Sequence, residues 1–157
     1  MAKEKDHPNI NPMVHPPIVA LMFIAIAYLL GRLVPLPFVV PLALRYVGFG
    51  LTLVGFLLGI GALNEFRKAR TTLDPHGSVK NLVTSGIYRF TRNPIYLGFL
   101  LMVIGVPLNF GLYWGIGMVP FYIILMNRLI IEREENYLEK KFKNAYTNYK
   151  SQVRRWL

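Results

Sequence analysis

The sequence contains no cysteine, which excludes disulfides, thiolate metal sites and cysteine nucleophiles. Histidine is nearly as scarce. His7, His15 and His76 are scattered and do not have the spacing of a metal site. Charge is thin as well: 17 % of residues are Asp, Glu, Lys or Arg, against roughly 25 % in an average soluble domain. Acid is the rarer sign, with 8 carboxylates facing 18 lysines and arginines for a net charge of +10. Such a balance would suit nucleic acid, but the chain leaves no soluble surface large enough for a duplex footprint, so a nucleic-acid partner is not expected. With 157 residues there is room for one domain, spanning residues 1–157.

What the sequence has instead is long apolar blocks, and hydrophobic residues make up 54 % of it. Residues 1–16 are polar and proline-marked. An uncharged run then leads through ALMFIAIAYLL to Arg32, close to the roughly 20 residues a membrane span needs. It exceeds a signal-peptide core, and no small-residue cleavage site follows it. PLPFVVP, at 35–41, must turn because three prolines cannot continue a helix. Tyr46–Asn64 is again uncharged and places Gly55 and Gly59 at GxxxG spacing, a weak sign of close helix approach. A polar loop, 65–92, comes next. The uncharged run from Asn93 to Asn127 is too long for one crossing, and Pro107-Leu-Asn-Phe-Gly111 divides it into a hairpin. From Arg128 the chain reads as a helix with acid first and base later, the order that suits a helix dipole. Leu138, Phe142 and Tyr146 come after Glu134 at four-residue spacing, so Glu134 lies on or beside the buried face.

The expected fold is therefore all-α: an integral membrane bundle of about four spans (17–34, 46–64, 94–108 and 112–131), with a C-terminal helix over 132–150. Of the 18 Lys and Arg residues, 16 fall in the lead, the central loop and the C-terminal region, while only Arg32 and Arg45 flank the other side. The positive-inside rule then puts both termini and the loop in the cytoplasm, in the inner membrane if the source is prokaryotic. Because a hairpin returns its ends to one side, Arg92, Asn93, Tyr96, Glu134 and Glu135 should meet at the membrane boundary. Interfacial anchoring would by itself explain such residues.

Their order says more. Leu82-Val-Thr-Ser-Gly-Ile-Tyr-Arg-Phe-Thr-Arg-Asn-Pro-Ile-Tyr-Leu-Gly98 resembles the signature of the isoprenylcysteine carboxyl methyltransferase and phospholipid methyltransferase families. Beyond the hairpin, Glu134, Glu135, Leu138, Phe142, Tyr146, Tyr149 and Val153-Arg-Arg-Trp156 match the second motif of those families. Two positions depart from the pattern: Asn93 stands where histidine is usual, and Lys143 where glycine is usual. Asparagine keeps a hydrogen-bonding role but cannot act as a base.

The resemblance implies methyl transfer from S-adenosylmethionine, leaving S-adenosylhomocysteine, to a lipophilic acceptor that enters from the bilayer, with no metal. It implies Arg92 and Glu134 as the catalytic pair. Leu82, Val83, Tyr88, Asn93, Pro94, Tyr96, Gly98, Glu134 and Glu135 are implied around the cofactor; His76, in Asp74-Pro-His-Gly, either joins them at the edge of the site or simply forms a turn. Chemically, a glutamate pairs with the cofactor's ammonium, a tyrosine face suits its sulfonium, and arginine holds a carboxylate bidentately. An amine or thiol acceptor would need a base, and His76, a glutamate or a tyrosine are the candidates. No glycine-rich strand-to-helix fingerprint of the soluble methyltransferase type is present. The alternatives are a small four-helix transporter, which would need an ionisable group inside a span, and a non-catalytic scaffold subunit.

Overall fold

The computed structural model describes residues 7–8, 14–71 and 79–157, and His76 lies outside them. Among the described residues every regular element is helical. Helix α1 (Pro16–Leu33) opens with two prolines, tolerated in a first turn whose N–H groups have no helical partner anyway. After the proline-rich turn, α2 (Leu42–Lys68) starts directly beyond Pro41. Helix α3 (Pro94–Asn109) and the rod Trp114–Phe142 form the hairpin around Gly111, whose φ of 82° needs glycine. The rod consists of α4 (Trp114–Gly117), α5 (Val119–Met126), a π turn (Asn127–Ile131) and α6 (Glu132–Phe142). Helix α7 (Asn144–Gln152) and an extended tail close the chain.

Three of these elements, α1, α2 and Trp114–Phe142, are long and apolar enough to cross a membrane. Helix α3 is apolar but shorter, 16 residues or about 24 Å. Most of the apolar length of α2 lies open on the outside of the bundle. Phe49, Phe56 and Leu57 stand exposed along it, and Leu21 and Leu29 along α1. Helices with such surfaces are stable in hydrocarbon and not in water.

The interior is built around α3. Val19, Phe23 and Ala27 of α1 pack with Tyr96, Leu100 and Val103 of α3 and with Tyr122 and Met126 of the rod. Phe23 meets Tyr122 edge-on at 5.5 Å. Helix α2 comes to α3 through glycines. A Cβ on Gly48 would lie 2.7 Å from the Gly105 carbonyl oxygen, and one on Gly55 would lie 2.5 Å from that of Gly98. The contacting glycines recur every seven residues on both helices, which lets two backbones touch along a seam. Gly59 meets nothing within 4 Å, so the close approach uses Gly48 and Gly55, not the Gly55–Gly59 pair. On the side of Arg45, its Nε donates to the Asn109 carbonyl at 2.8 Å and caps α3.

Three boundaries differ from the sequence reading: α2 begins at Leu42 and not at Tyr46, which takes Arg45 into the helix, and two others matter more to the site. Helix α2 continues through Lys68, so Glu65 belongs to the helix and not to the polar loop; it is buried and accepts from Ser85 Oγ at 2.6 Å. The helix expected over 132–150 is broken at Lys143, which has φ 46° and ψ −124°. A side chain is costly in that conformation and glycine is not, a backbone reason for the glycine usual at this position in similar sequences. Lys143→Gly is expected to stabilise the protein by about 1 kcal/mol. A thermal melt of the purified variant would show it as a raised midpoint, and an unchanged or lowered midpoint would count against the strain.

Candidate active site

A second apolar cluster fastens the loop and the C-terminal helices to the end of α2. Ala62, Val83, Tyr88, Tyr146 and Tyr149 are its buried members. Tyr149 Oη donates to the Tyr88 carbonyl at 2.6 Å, which pins the 3-10 turn Gly86–Arg89 against α7. Between this cluster and the core around α3 lies a cavity of about 340 Å³. Its polar wall is Arg92, Asn93, Glu134 and Glu135, and aromatic rings, among them Tyr88, Tyr96 and Tyr146, line the rest.

Arg92, expected to neighbour Glu134, makes its ion pair with the adjacent carboxylate. Arg92 Nη2 lies 3.2 Å from Glu135 Oε1, and both side chains are about nine-tenths buried. The other partner of Glu135 is Arg155, whose Nε and Nη2 reach Oε1 and Oε2 at 3.0 and 2.7 Å. Glu134 faces the same cavity and accepts from Tyr96 Oη at 2.7 Å. Arg92 Nε and Nη1 are buried and make no hydrogen bond among the described residues. Leaving a buried charged donor unmatched costs on the order of 1–3 kcal/mol or more, so these atoms are places for a ligand's acceptor.

The charges add up to a pattern. Glu135 sits between two guanidiniums and leaves one positive charge in excess, at Arg92. Glu134 has no cationic partner among the described residues and accepts from the Tyr96 hydroxyl. A cavity with a guanidinium on one side and a glutamate not paired with a cation on the other matches a zwitterion, one carboxylate and one ammonium, with aromatic and apolar walls for the rest of the molecule.

Burial pushes the Tyr88, Tyr146 and Tyr149 phenols well above the usual tyrosine range. Glu134 adds to this at Tyr88 and Glu135 at Tyr146, while Arg92 opposes it at Tyr146 and Tyr149. These hydroxyls therefore remain O–H donors at neutral pH and take no proton from an acceptor.

Of the residues singled out from sequence, Leu82, Val83, Tyr88, Arg92, Asn93, Tyr96, Glu134 and Glu135 all line the cavity. Pro94 and Gly98 do not. Pro94 is the buried first residue of α3, and Gly98 packs on Gly55. His76 is outside the described residues. Sequence reasoning assigned no role to Arg155 or to the tail around it. Arg92 N–H donates to the Arg154 carbonyl, and Asn93 Nδ2 and Thr91 Oγ1 donate to that of Arg155, at 3.0, 2.9 and 3.2 Å. Val153-Arg-Arg-Trp156 carried the signal as part of a motif, but nothing in its spacing revealed the fold-back. His15, Pro16 and Pro17, at the start of α1, also reach the cavity wall.

Comparison with known proteins gives the same direction. The phospholipid methyltransferase family pattern matches residues 44–145, more than half of the chain. An uncharacterised protein of Haemophilus influenzae is 45 % identical over 65 residues, covering 40 % of this chain and 100 % of that protein. A protein-S-isoprenylcysteine O-methyltransferase of Schizosaccharomyces pombe is 32 % identical over 74 residues, 46 % of this chain. That match spans 30 % of the yeast enzyme's length. No solved structure matches the chain. A cavity suited to a zwitterion beside apolar helices and a family match over residues 44–145 together carry one conclusion: the chain belongs to the phospholipid methyltransferase family and is a membrane methyltransferase.

Proposed function

We propose that this protein transfers the methyl group of S-adenosylmethionine to a lipophilic acceptor that reaches the cavity from the bilayer. The carrying observation is that Arg92, with Nε and Nη1 buried and unmatched among the described residues, forms the wall of the same cavity as Glu134. Arg92 binds the carboxylate of the cofactor's amino-acid end, and Glu134, oriented by Tyr96, binds its ammonium. The rings of Tyr88 and Tyr96 suit a sulfonium, and Leu82 and Val83 border the adenine side. When bound, S-adenosylmethionine supplies a methyl group activated by its positive sulfur. The protein's part is to orient two reactants and to keep water away from them. Four membrane spans, with both termini and the site on the cytoplasmic side, fit the charge distribution best.

Among acceptors, a carboxylate such as that of a prenylcysteine asks least of these residues. It arrives deprotonated, whereas a lipid amine or thiol must lose a proton. The phenols stay protonated, Asn93 is no base, and Glu134 is engaged by the ammonium. The test is incubation of the protein in nanodiscs with methyl-labelled S-adenosylmethionine and membrane lipid extract. The expected outcome is label in the organic phase that mild alkali releases as methanol, the mark of a methyl ester. Alkali-stable label would move the acceptor to an amine or thiol, and no transfer to any lipid fraction by folded protein would overturn the reading.

The departure at Asn93 has its own expected result. Its amide donates to the Arg155 carbonyl, a bond that a histidine N–H can replace. Asn93→His is expected to keep activity within about threefold of the parent, and Asn93→Ala to lose roughly tenfold. Initial-rate measurements on the two variants decide it, and a loss equal in both would show that the bond is not what matters.

A further inference from the structure

The carboxylate of Glu135 is shared unequally. Arg155 grips it fork to fork, through Nε and Nη2 to both oxygens, while Arg92 touches one oxygen with a single terminal nitrogen, Nη2. The remaining nitrogens of Arg92, Nε and Nη1, are buried and unmatched among the described residues, and Arg92 forms part of the cavity wall. A guanidinium prefers the two-bond arrangement with a carboxylate. Arg92 would take it from Glu135 if the second oxygen were not already occupied. The tail that carries Arg155 is held in place by three further hydrogen bonds, from the Arg92 backbone, Thr91 and Asn93 to the carbonyls of Arg154 and Arg155, and Trp156 Nε1 adds one to Asn127 Oδ1 at 3.2 Å.

We propose that Arg155 is a positioning residue which, by occupying both oxygens of Glu135, holds Arg92 to a single contact through Nη2 and keeps its Nε and Nη1 donors available to the carboxylate of the methyl donor. Without Arg155, Arg92 turns onto Glu135 with a two-nitrogen fork, and either Nε or Nη1 is consumed as a donor to the ligand. One buried ion pair replaces another, so the fold persists while recognition of the carboxylate is lost. Arg155 acts through Glu135 and Arg92 and does not itself touch the ligand. This inference rests on the proposed cofactor, and its test separates the two.

The experiment is calorimetric titration of the full-length protein, in nanodiscs, with S-adenosylhomocysteine and with methylthioadenosine, which lacks the amino-acid end. Binding of S-adenosylhomocysteine by the parent protein tests the cofactor, and its absence would overturn both readings. Given that binding, Arg155→Ala is expected to weaken S-adenosylhomocysteine by roughly tenfold or more, the worth of a charge-assisted bond, and methylthioadenosine by less than about twofold. Equal weakening of both ligands would mean a merely structural strap, and no weakening would mean that Arg92 is free without help. Either would overturn the role of Arg155 and leave the cofactor standing. Arg155→Lys keeps the charge but cannot span both oxygens, so the same selective loss is expected in smaller measure. It decides the matter if the alanine variant does not fold.

Discussion

Glu135→Ala is expected to abolish binding of the methyl donor and to destabilise the protein. The substitution leaves Arg92 and Arg155 beside each other with no carboxylate between them, and the side chain of Arg92 is only 10 % exposed. Removing one partner of a buried ion pair costs about 3–5 kcal/mol, because the other charge stays buried and unpaired. The lower end applies here, since Arg155 is 31 % exposed and water can reach it. Binding should fall by more than about a hundredfold, because both guanidiniums lose the group that orients them. Glu135→Gln keeps the shape and one acceptor oxygen, and should fold better than it binds. Thermal melts alongside ligand titrations of both variants measure the two effects separately. An alanine variant that binds like its parent would remove Glu135 from the site.

The second large effect concerns packing. Gly98→Leu is expected to prevent folding, whereas Gly59→Leu leaves the protein unchanged. A Cβ on Gly98 would stand 2.6 Å from the backbone oxygen of Gly55, and no rotamer relieves a clash with backbone. Helix α2 would have to move off α3, whose first turn and N-cap carry Tyr96 and Asn93. Overpacking by a side chain commonly costs about 1–3 kcal/mol, and a seam of touching backbones sits above that range. A Cβ on Gly59 meets nothing within 4 Å, so leucine there only adds apolar surface to an open face, within about 0.5 kcal/mol. Gel filtration in detergent separates the outcomes, and a monodisperse Gly98→Leu would contradict the seam.

These two helices also show how far the sequence can be read. In the chain, Gly59 and Gly55 look alike, four residues apart in the same uncharged run. Only the neighbour's position distinguishes them, because the contacting face of α2 is set by where α3 lies. The hairpin was legible, since prolines and glycine stop an apolar run too long to cross once. So was the meeting of Arg92 and Asn93 with the Glu134–Glu135 pair, because a hairpin must return its ends to one side. Which glutamate Arg92 would take was not legible. Successive helical residues point about 100° apart, and the π turn over Asn127–Ile131 rotates the face that α6 presents to the cavity. The break at Lys143 was legible only through the glycine usual at that position, which points to a helix end, since a lysine itself gives no local sign of one. The tail's role lay in backbone carbonyls, which every residue has.

Titration of S-adenosylmethionine into the purified protein, monitored by calorimetry, tests the central claim most directly. Saturable one-to-one binding, lost in both Arg92→Ala and Glu134→Ala, is the expected result, because each removes one end of the zwitterion site. Folded protein that stays silent in detergent, and again in nanodiscs with added lipid, would contradict it.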